Sequence, residues 1–255
     1  MLPELFQYAL TPTRHPAARR MGYLYEAIAL SARYGRCRNQ WDPHYARCRE
    51  VIEAALPETG RRALVLGAGT LRDVPLTALS ARFERVDLVD LVWLWPARWR
   101  VRRHANVRLV EHDVTEALTA LMAGELGVPQ PRWGLDGGYD FVVSLNLATQ
   151  LPLLPAQWLL RRKVDEQAID SYGRALMQAH LDWLHAFPDA SVCLIADRLI
   201  ETRAPGRPVE PVDPWWGVTP PPEDEHWWWE AVPRREGRGE ARWHRVGVSQ
   251  WHNLA

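Results

Sequence analysis

The chain has 255 residues, 47% of them hydrophobic, which is enough to bury the core of one α/β domain with an appendage and too few for two full-size domains. Thirty-one basic residues balance thirty-one acidic ones, so the chain lacks the global field that draws proteins to nucleic acid or anionic lipid, and a nucleic-acid partner is not expected. No window approaches the ~20 consecutive apolar residues of a membrane span, and no basic segment followed by an apolar signal core opens the chain, so the expected setting is cytoplasmic with no membrane partner.

In chain order, Met21, Leu24, Tyr25, Ile28 and Ala32 recur at helical spacing and stop at Gly35, which predicts one amphipathic helix. Asp42 before Pro43 reads as the start of a second, with Tyr45, Cys48, Ile52, Ala55 and Leu56 on its buried face. Residues 1–60 are therefore expected to form an N-terminal helical cap. Its first fifty residues carry eight arginines against Glu4, Glu26, Asp42 and Glu50.

From Arg62 the period changes. Ala63-Leu64-Val65-Leu66 is a short apolar run ending at Gly67, as in a strand buried on both faces. Further strands are predicted at 85–90, 107–111 and 139–145, with helices at 71–81 and 96–104 between them. Such alternation predicts a parallel sheet, and right-handed crossovers make it doubly wound. A helical stripe from Val164 to Phe187 and a buried strand over 191–200 follow. Residues 205–222 hold seven prolines, so the segment 204–225 is expected to be a Pro/Trp-rich loop. Residues 227–232 and 242–250 then form a terminal antiparallel pair.

Ligands of an open parallel sheet sit beyond the carboxyl ends of the strands, where strand order reverses. After the first strand stands Gly67-Ala68-Gly69-Thr70, where glycine permits close backbone approach to a ligand. After the second stands Asp90, placed to accept hydrogen bonds from a ribose diol. After the third stands His112-Asp113-Val114, where the acid can take an adenine amine and the valine can pack on the ring.

With these stretches, and the fourth strand and its loop over Tyr139 to Pro152, the chain resembles the class I S-adenosylmethionine-dependent methyltransferases from about residue 60 to 203. The resemblance implies an α/β, doubly wound, mostly parallel Rossmann-like sheet of about seven strands, the last antiparallel, over residues 61–255. It implies S-adenosylmethionine as cofactor, held by Gly67, Gly69, Asp90, Asp113, Val114 and Asn146, and methyl transfer to a small-molecule acceptor. Two positions depart from the pattern. Val65 stands where an acid is common, and the third glycine is replaced around Leu71; Asp73 is expected to supply the missing carboxylate from the opening of the helix. Arg72 where a dinucleotide fingerprint needs glycine argues against a nicotinamide cofactor.

Several residues have plainer readings. Asn146 either contacts the ligand or fixes its loop, and Ser144 and Gln150 are buried-polar candidates beside it. Asp197, inside the fifth strand, is expected to pair with an arginine. Cys37, His44 and Cys48 lack a fourth ligand at any recognisable spacing, so no metal is expected. Arg14, Arg19, Arg20, Arg36 and Arg38 are expected on a solvated face. The cluster Trp215, Trp216, Trp227, Trp228 and Trp229 can form a substrate wall or cover a sheet edge or homodimer interface, but alternation forbids the last three from sharing one pocket if they lie on a strand. His226 and Tyr25 are candidate bases. The rival from another class is a non-catalytic methyltransferase-like scaffold that uses the Trp-rich C-terminal surface.

Overall fold

A computed structural model describes residues 2–254. The helices are α1 (Leu2–Leu10), α2 (Ala17–Arg20), α3 (Tyr23–Ala55), α4 (Leu76–Arg82), α5 (Trp95–Val101), α6 (Leu118–Ala123), α7 (Leu153–Arg161) and α8 (Glu166–His185). The strands are β1 (Gly60–Leu66), β2 (Phe83–Asp90), β3 (Val107–Glu111), β4 (Phe141–Leu145), β5 (Ser191–Arg203), β6 (Glu210–Val212), β7 (Glu225–Val232) and β8 (Ala241–His252). Among the described residues no helix is long and apolar enough to cross a membrane.

The sheet runs β3-β2-β1-β4-β5-β8-β7, with β6 attached to β5 off this path. The first five strands are mutually parallel; β8 lies antiparallel between β5 and β7. This is the doubly wound, mostly parallel sheet expected from the alternation of strands and helices. The continuous apolar run of β1 has its explanation here. Ala63 and Val65 pack with Val51 and Ile52 of α3 and Leu79 of α4, whereas Leu64 and Leu66 pack with Met177, Leu181 and Leu184 of α8. Both faces are covered, so the strand cannot alternate with polar residues.

The segment 1–60 divides between two neighbourhoods. Ala17, Met21 and Leu24 pack with Leu91 and Leu94 after β2, with Leu118 of α6 and with Trp158 of α7. Cys48, Val51 and Ile52 instead lie on the sheet face. As predicted there are two helical segments, which meet within α3 at a non-helical kink, Cys37 (φ −111°, ψ 19°); the second starts before Asp42 and runs through Pro43. Asp42 is no cap: it accepts from the Tyr34 hydroxyl at 2.7 Å and Arg38 Nε at 3.1 Å. Pro43 costs one backbone hydrogen bond, and flanking anchors carry the helix past it. Trp41 Nε1 donates to the Ala231 carbonyl at 3.1 Å, and Trp41 meets Trp229 edge-on at 5.4 Å.

Three other differences have local causes. Residues 71–75 are irregular, not helical, because Leu71 takes φ +59° and Pro75 precedes the first turn of α4. The short helices α6 and α7 occupy segments without a long periodic stripe. Inside the proline-rich segment, β6 pairs Pro211 opposite Glu201, an edge position that tolerates a residue without an amide hydrogen.

Candidate active site

Strand order reverses around β1, between β2 and β4, and the chain leaves β1 there through Gly67-Ala68-Gly69. Gly67 and Ala68 donate to the Val89 carbonyl at 2.9 and 3.3 Å. Gly67 sits at φ +78°, and a Cβ there would fall 2.7 Å from the Leu145 carbonyl oxygen and 2.9 Å from Leu147 Cβ. Only glycine satisfies both the dihedral and the approach of β4. Leu71 keeps a left-handed φ of +59° where a further glycine would be unstrained, at a cost on the order of 1 kcal/mol.

Gly69 N–H donates to Asp90 Oδ2 at 2.9 Å, and Val92 N–H reaches Asp90 Oδ1 at 3.3 Å. Burial nevertheless raises the Asp90 carboxyl to about 6, because these amides only partly replace lost water. Each oxygen retains accepting capacity beyond its one amide.

Opposite Asp90, a second buried carboxylate comes from the irregular loop. Asp73 accepts from Asn146 Nδ2 at 3.1 Å and is likewise raised to about 6, first by burial, with Asp90's charge adding to the shift. Asn146 follows β4 with φ +50°, its backbone N–H bonded to the Ile195 carbonyl at 2.8 Å. Asparagine tolerates this left-handed conformation better than most residues. The turn sets its amide on Asp73 and beside the Cys48 sulfur at 3.6 Å.

His44 of α3 completes the cluster, stacked on Trp229 with centroids 4.0 Å apart. Trp227 Nε1 donates to His44 Nδ1 at 3.1 Å. Burial drives the imidazole down to about 3, so it is neutral at physiological pH. A neutral imidazole accepts at one nitrogen only. With Nδ1 taken by Trp227, Nε2 carries the hydrogen; its 3.3 Å approach to Asn146 Nδ2 is then a contact between donors, and Cys48 Sγ at 3.7 Å is its acceptor. His44 stands as a fixed donor, with its basic nitrogen occupied.

Asp113 is buried in its own turn. Its Oδ1 accepts from Thr115 N and Oγ1 at 3.0 and 2.7 Å, and its Oδ2 from Leu118 N at 2.9 Å. Val114 packs in the core with Leu66, Val89 and Met177. Nearby, the buried Tyr172 hydroxyl has no hydrogen-bond partner among the described residues; burial, followed by the charge of Asp113, raises both Tyr172 and Tyr23.

Other sequence candidates lie elsewhere. Ser144 is locked to His180 of α8 at 2.8 Å and faces the core, and Gln150 is exposed. Asp197 pairs with His244 at 3.0 Å, not with an arginine; Arg198 is drawn instead to Ser249 at 2.6 Å and the Pro221 carbonyl at 3.0 Å. Tyr25 is exposed, and His226 is a half-exposed partner of Glu223. Cys37 packs with Trp41 and Tyr45. The tryptophans separate as alternation requires: Trp227 and Trp229 face His44, while Trp228 points outward with Arg203 over its ring. Trp215 donates to the Asp197 carbonyl at 2.7 Å, and Trp216 lies on Gly173 of α8. Trp227 and Trp229 thus join α3 to the sheet. The sequence shows only the one-turn spacing of His44 to Cys48; the partners that fix the imidazole's role, Asn146 and Trp227, lie about a hundred residues away or more.

No protein family's profile matches the chain, and no curated protein matches it. Several solved structures are similar. A Burkholderia thailandensis 1,6-didemethyltoxoflavin-N1-methyltransferase, bound to 1,6-didemethyltoxoflavin and S-adenosylhomocysteine, shares 16% identity over 96% of this chain and 94% of that one, at a TM-score of 0.43. The N-methyltransferase NodS of Bradyrhizobium japonicum, with S-adenosylhomocysteine, shares 11% over 79% and 85%, at 0.37. Phosphoethanolamine N-methyltransferase 2 of Haemonchus contortus shares 16% over 60% of this chain at 0.34, and this chain spans only 29% of its length. At such identities and TM-scores, these likenesses say nothing of this chain's activity.

Proposed function

We propose that the chain is an S-adenosylmethionine-dependent methyltransferase acting on a small-molecule acceptor. The observation that carries this reading is the pair of carboxylates at the switch point, buried Asp73 and half-buried Asp90, each raised to about 6 and neither paired with a basic side chain among the described residues. Buried acids left in that state favour a ligand that brings hydroxyl donors and positive charge to the same place. A ribosyl sulfonium carrying an α-ammonium group has both.

S-adenosylmethionine supplies a methyl group already activated by positive sulfur. The chain's task is then alignment and exclusion of water. Gly67 and Gly69 let the β1 loop approach the ligand; Asp90 accepts from the ribose diol. Asp73 and Asn146 hold the cationic end. Asp113 and Val114 flank the adenine, the acid by releasing part of its own turn or by fixing that turn's amides. No residue is assigned as base, and a substrate that already presents a neutral lone pair fits a site whose histidine is a donor. Residues 1–60 act as the cap over the acceptor, and a cytoplasmic setting is consistent with three buried free cysteines.

The test is calorimetric titration of the full chain with S-adenosylmethionine and, separately, NADH, repeated on Asp90→Ala. Micromolar binding of the first ligand alone, weakened at least about tenfold by the substitution, supports the reading. Folded protein that binds neither would refute it.

A further inference from the structure

Behind the glycine loop, on the side facing α4 and α5, the surface opens into a cleft of about 570 Å³. Its walls carry Arg49 from the end of α3 and Arg100 and Arg103 from α5 and the turn after it, with His104 beside them and Glu53 as the one acid. Elsewhere the chain pairs many of its arginines: Arg36 with Glu236, Arg47 with Glu225, Arg85 with Asp87 and Arg203 with Glu201. Arg49, Arg100 and Arg103 form no ion pair among the described residues. Their like charges accumulate instead. Burial first, then the charges of Arg72 and Arg49, pull the Arg100 guanidinium below its ordinary value. An electroneutral chain has here gathered three cations in one concavity against the single acid Glu53.

These guanidiniums are also tied to the loop in front of them. Arg100 Nη1 donates to the Leu71 carbonyl at 3.2 Å and approaches that of Thr70 at 3.4 Å, and Arg49 donates to the Arg72 carbonyl. Those carbonyls belong to the stretch that joins Gly69 to Asp73. A dianion drawn into the cleft would compete with them for the same donors, because a guanidinium forms stronger, shorter bonds to phosphate oxygens than to a neutral carbonyl. Trp99, 60% exposed at the rim, offers an indole face to whatever the anionic group is attached to.

We propose that this cleft is a binding site for a phosphorylated small molecule, with the phosphate held by Arg49, Arg100 and Arg103, and that its occupancy changes the grip of the glycine loop on its own ligand. Three guanidiniums gathered in one cleft, in a chain of zero formal net charge, favour a single compact phosphoester over the extended phosphate backbone of a nucleic acid. Occupancy of the cleft is independent of the methyltransferase reading; the coupling to the loop rests on it.

The probe is inorganic pyrophosphate, titrated calorimetrically into the full chain at low ionic strength, with a twelve-nucleotide single strand as a second probe. Sub-millimolar pyrophosphate binding is expected, weakened roughly tenfold or more in Arg100→Gln/Arg103→Gln. The doubly substituted chain should keep the wild-type circular dichroism spectrum, with a melting temperature lowered only by the loss of the Arg100 bonds to the Leu71 and Thr70 carbonyls; Arg103→Gln alone, which breaks neither bond, should weaken pyrophosphate binding at the wild-type melting temperature. S-adenosylmethionine affinity is then measured with and without saturating pyrophosphate, and a change of about twofold or more in wild type, absent from the variant, establishes the coupling. Equal pyrophosphate binding by wild type and variant overturns the site, as does an oligonucleotide that binds much more tightly than pyrophosphate. Because the pyrophosphate titration contains no S-adenosylmethionine, failure of the methyltransferase reading would appear separately.

Discussion

Gly67 and Asp73 place opposite demands on the site. Gly67→Ala adds a Cβ 2.7 Å from the Leu145 carbonyl at a positive φ, which should cost about 2 kcal/mol or more and lower both melting temperature and cofactor affinity. Asp73→Asn should separate the two quantities. Its carboxyl is raised in the folded chain from 3.8 to about 6, so ionisation above that pH opposes folding, and removing the charge should stabilise the unliganded chain by on the order of 1 kcal/mol at pH 8. The same change should weaken S-adenosylmethionine binding, since the cationic end loses its partner. Thermal melts of Asp73→Asn with and without ligand check both signs; a variant that melts lower without ligand would remove Asp73 from this role. The placement of Gly67, Gly69 and Asp90 was legible because it is local to strand ends. Asp73 was expected at the opening of a helix, and it reaches Asn146 because the loop is irregular there. Ser144 was misleading for the opposite reason: it follows the pleat of β4 into the core, where His180 satisfies it. Ser144→Ala should cost about 1–3 kcal/mol and leave ligand affinity unchanged, whereas Asn146→Ala should weaken affinity and also lower the melting temperature, since alanine takes φ +50° less readily and Asp73 loses its donor.

At the scale of elements, legibility followed period and length. The helix α8 carries its apolar stripe over twenty residues and begins at Asp165, whose carboxylate accepts from Ala168 N–H at 2.9 Å, so stripe and cap agree. The buried strands were visible as apolar runs. The helices α6 and α7, at six and nine residues, are too short for periodicity to stand out. The continuity of α3 through Pro43 was hidden because its cause is tertiary: Trp41, Tyr45 and His44 are held against Trp227, Trp229 and the Ala231 carbonyl of β7. That contact should set the dynamics of the cap. Trp229→Ala removes the His44 stack and the Trp41 contact together, with an expected loss of about 3–5 kcal/mol. Hydrogen exchange should then accelerate over residues 38–48 and remain slow in α8. Uniform acceleration would mean that α3 opens only with the whole fold.

The whole molecule couples these parts through protons. His44 and His180 are depressed by burial to about 3 and about 4; each stays neutral in the folded chain while its unfolded counterpart charges near 6.5, so both contributions lose stability as pH falls through that window. Asp73 and Asp90 act in the opposite sense. Each takes up a proton in the folded chain near 6 but in the unfolded chain only near 3.8, which favours folding as pH falls. Between about pH 4.5 and 5.5 the two histidines protonate the unfolded state and the two carboxylic acids protonate the folded one, so these four proton counts nearly cancel and the unliganded chain keeps only the shallower fall set by His112, Asp42, Asp140 and Glu236, all lowered in the folded chain. A cationic ligand that keeps both carboxylates ionised removes the compensation. The ligand-bound chain should then lose stability with falling pH at a rate on the order of 2–3 kcal/mol per pH unit in that window, and the melting-temperature gain produced by S-adenosylmethionine should shrink as pH drops through about 6. Scanning fluorimetry with and without the ligand from pH 4.5 to 8 measures both slopes. A gain that stays constant across that range would show that neither carboxylate meets the ligand, whereas a shallow unliganded curve joined to a collapsing gain would tie the two acids at the switch point to the cofactor.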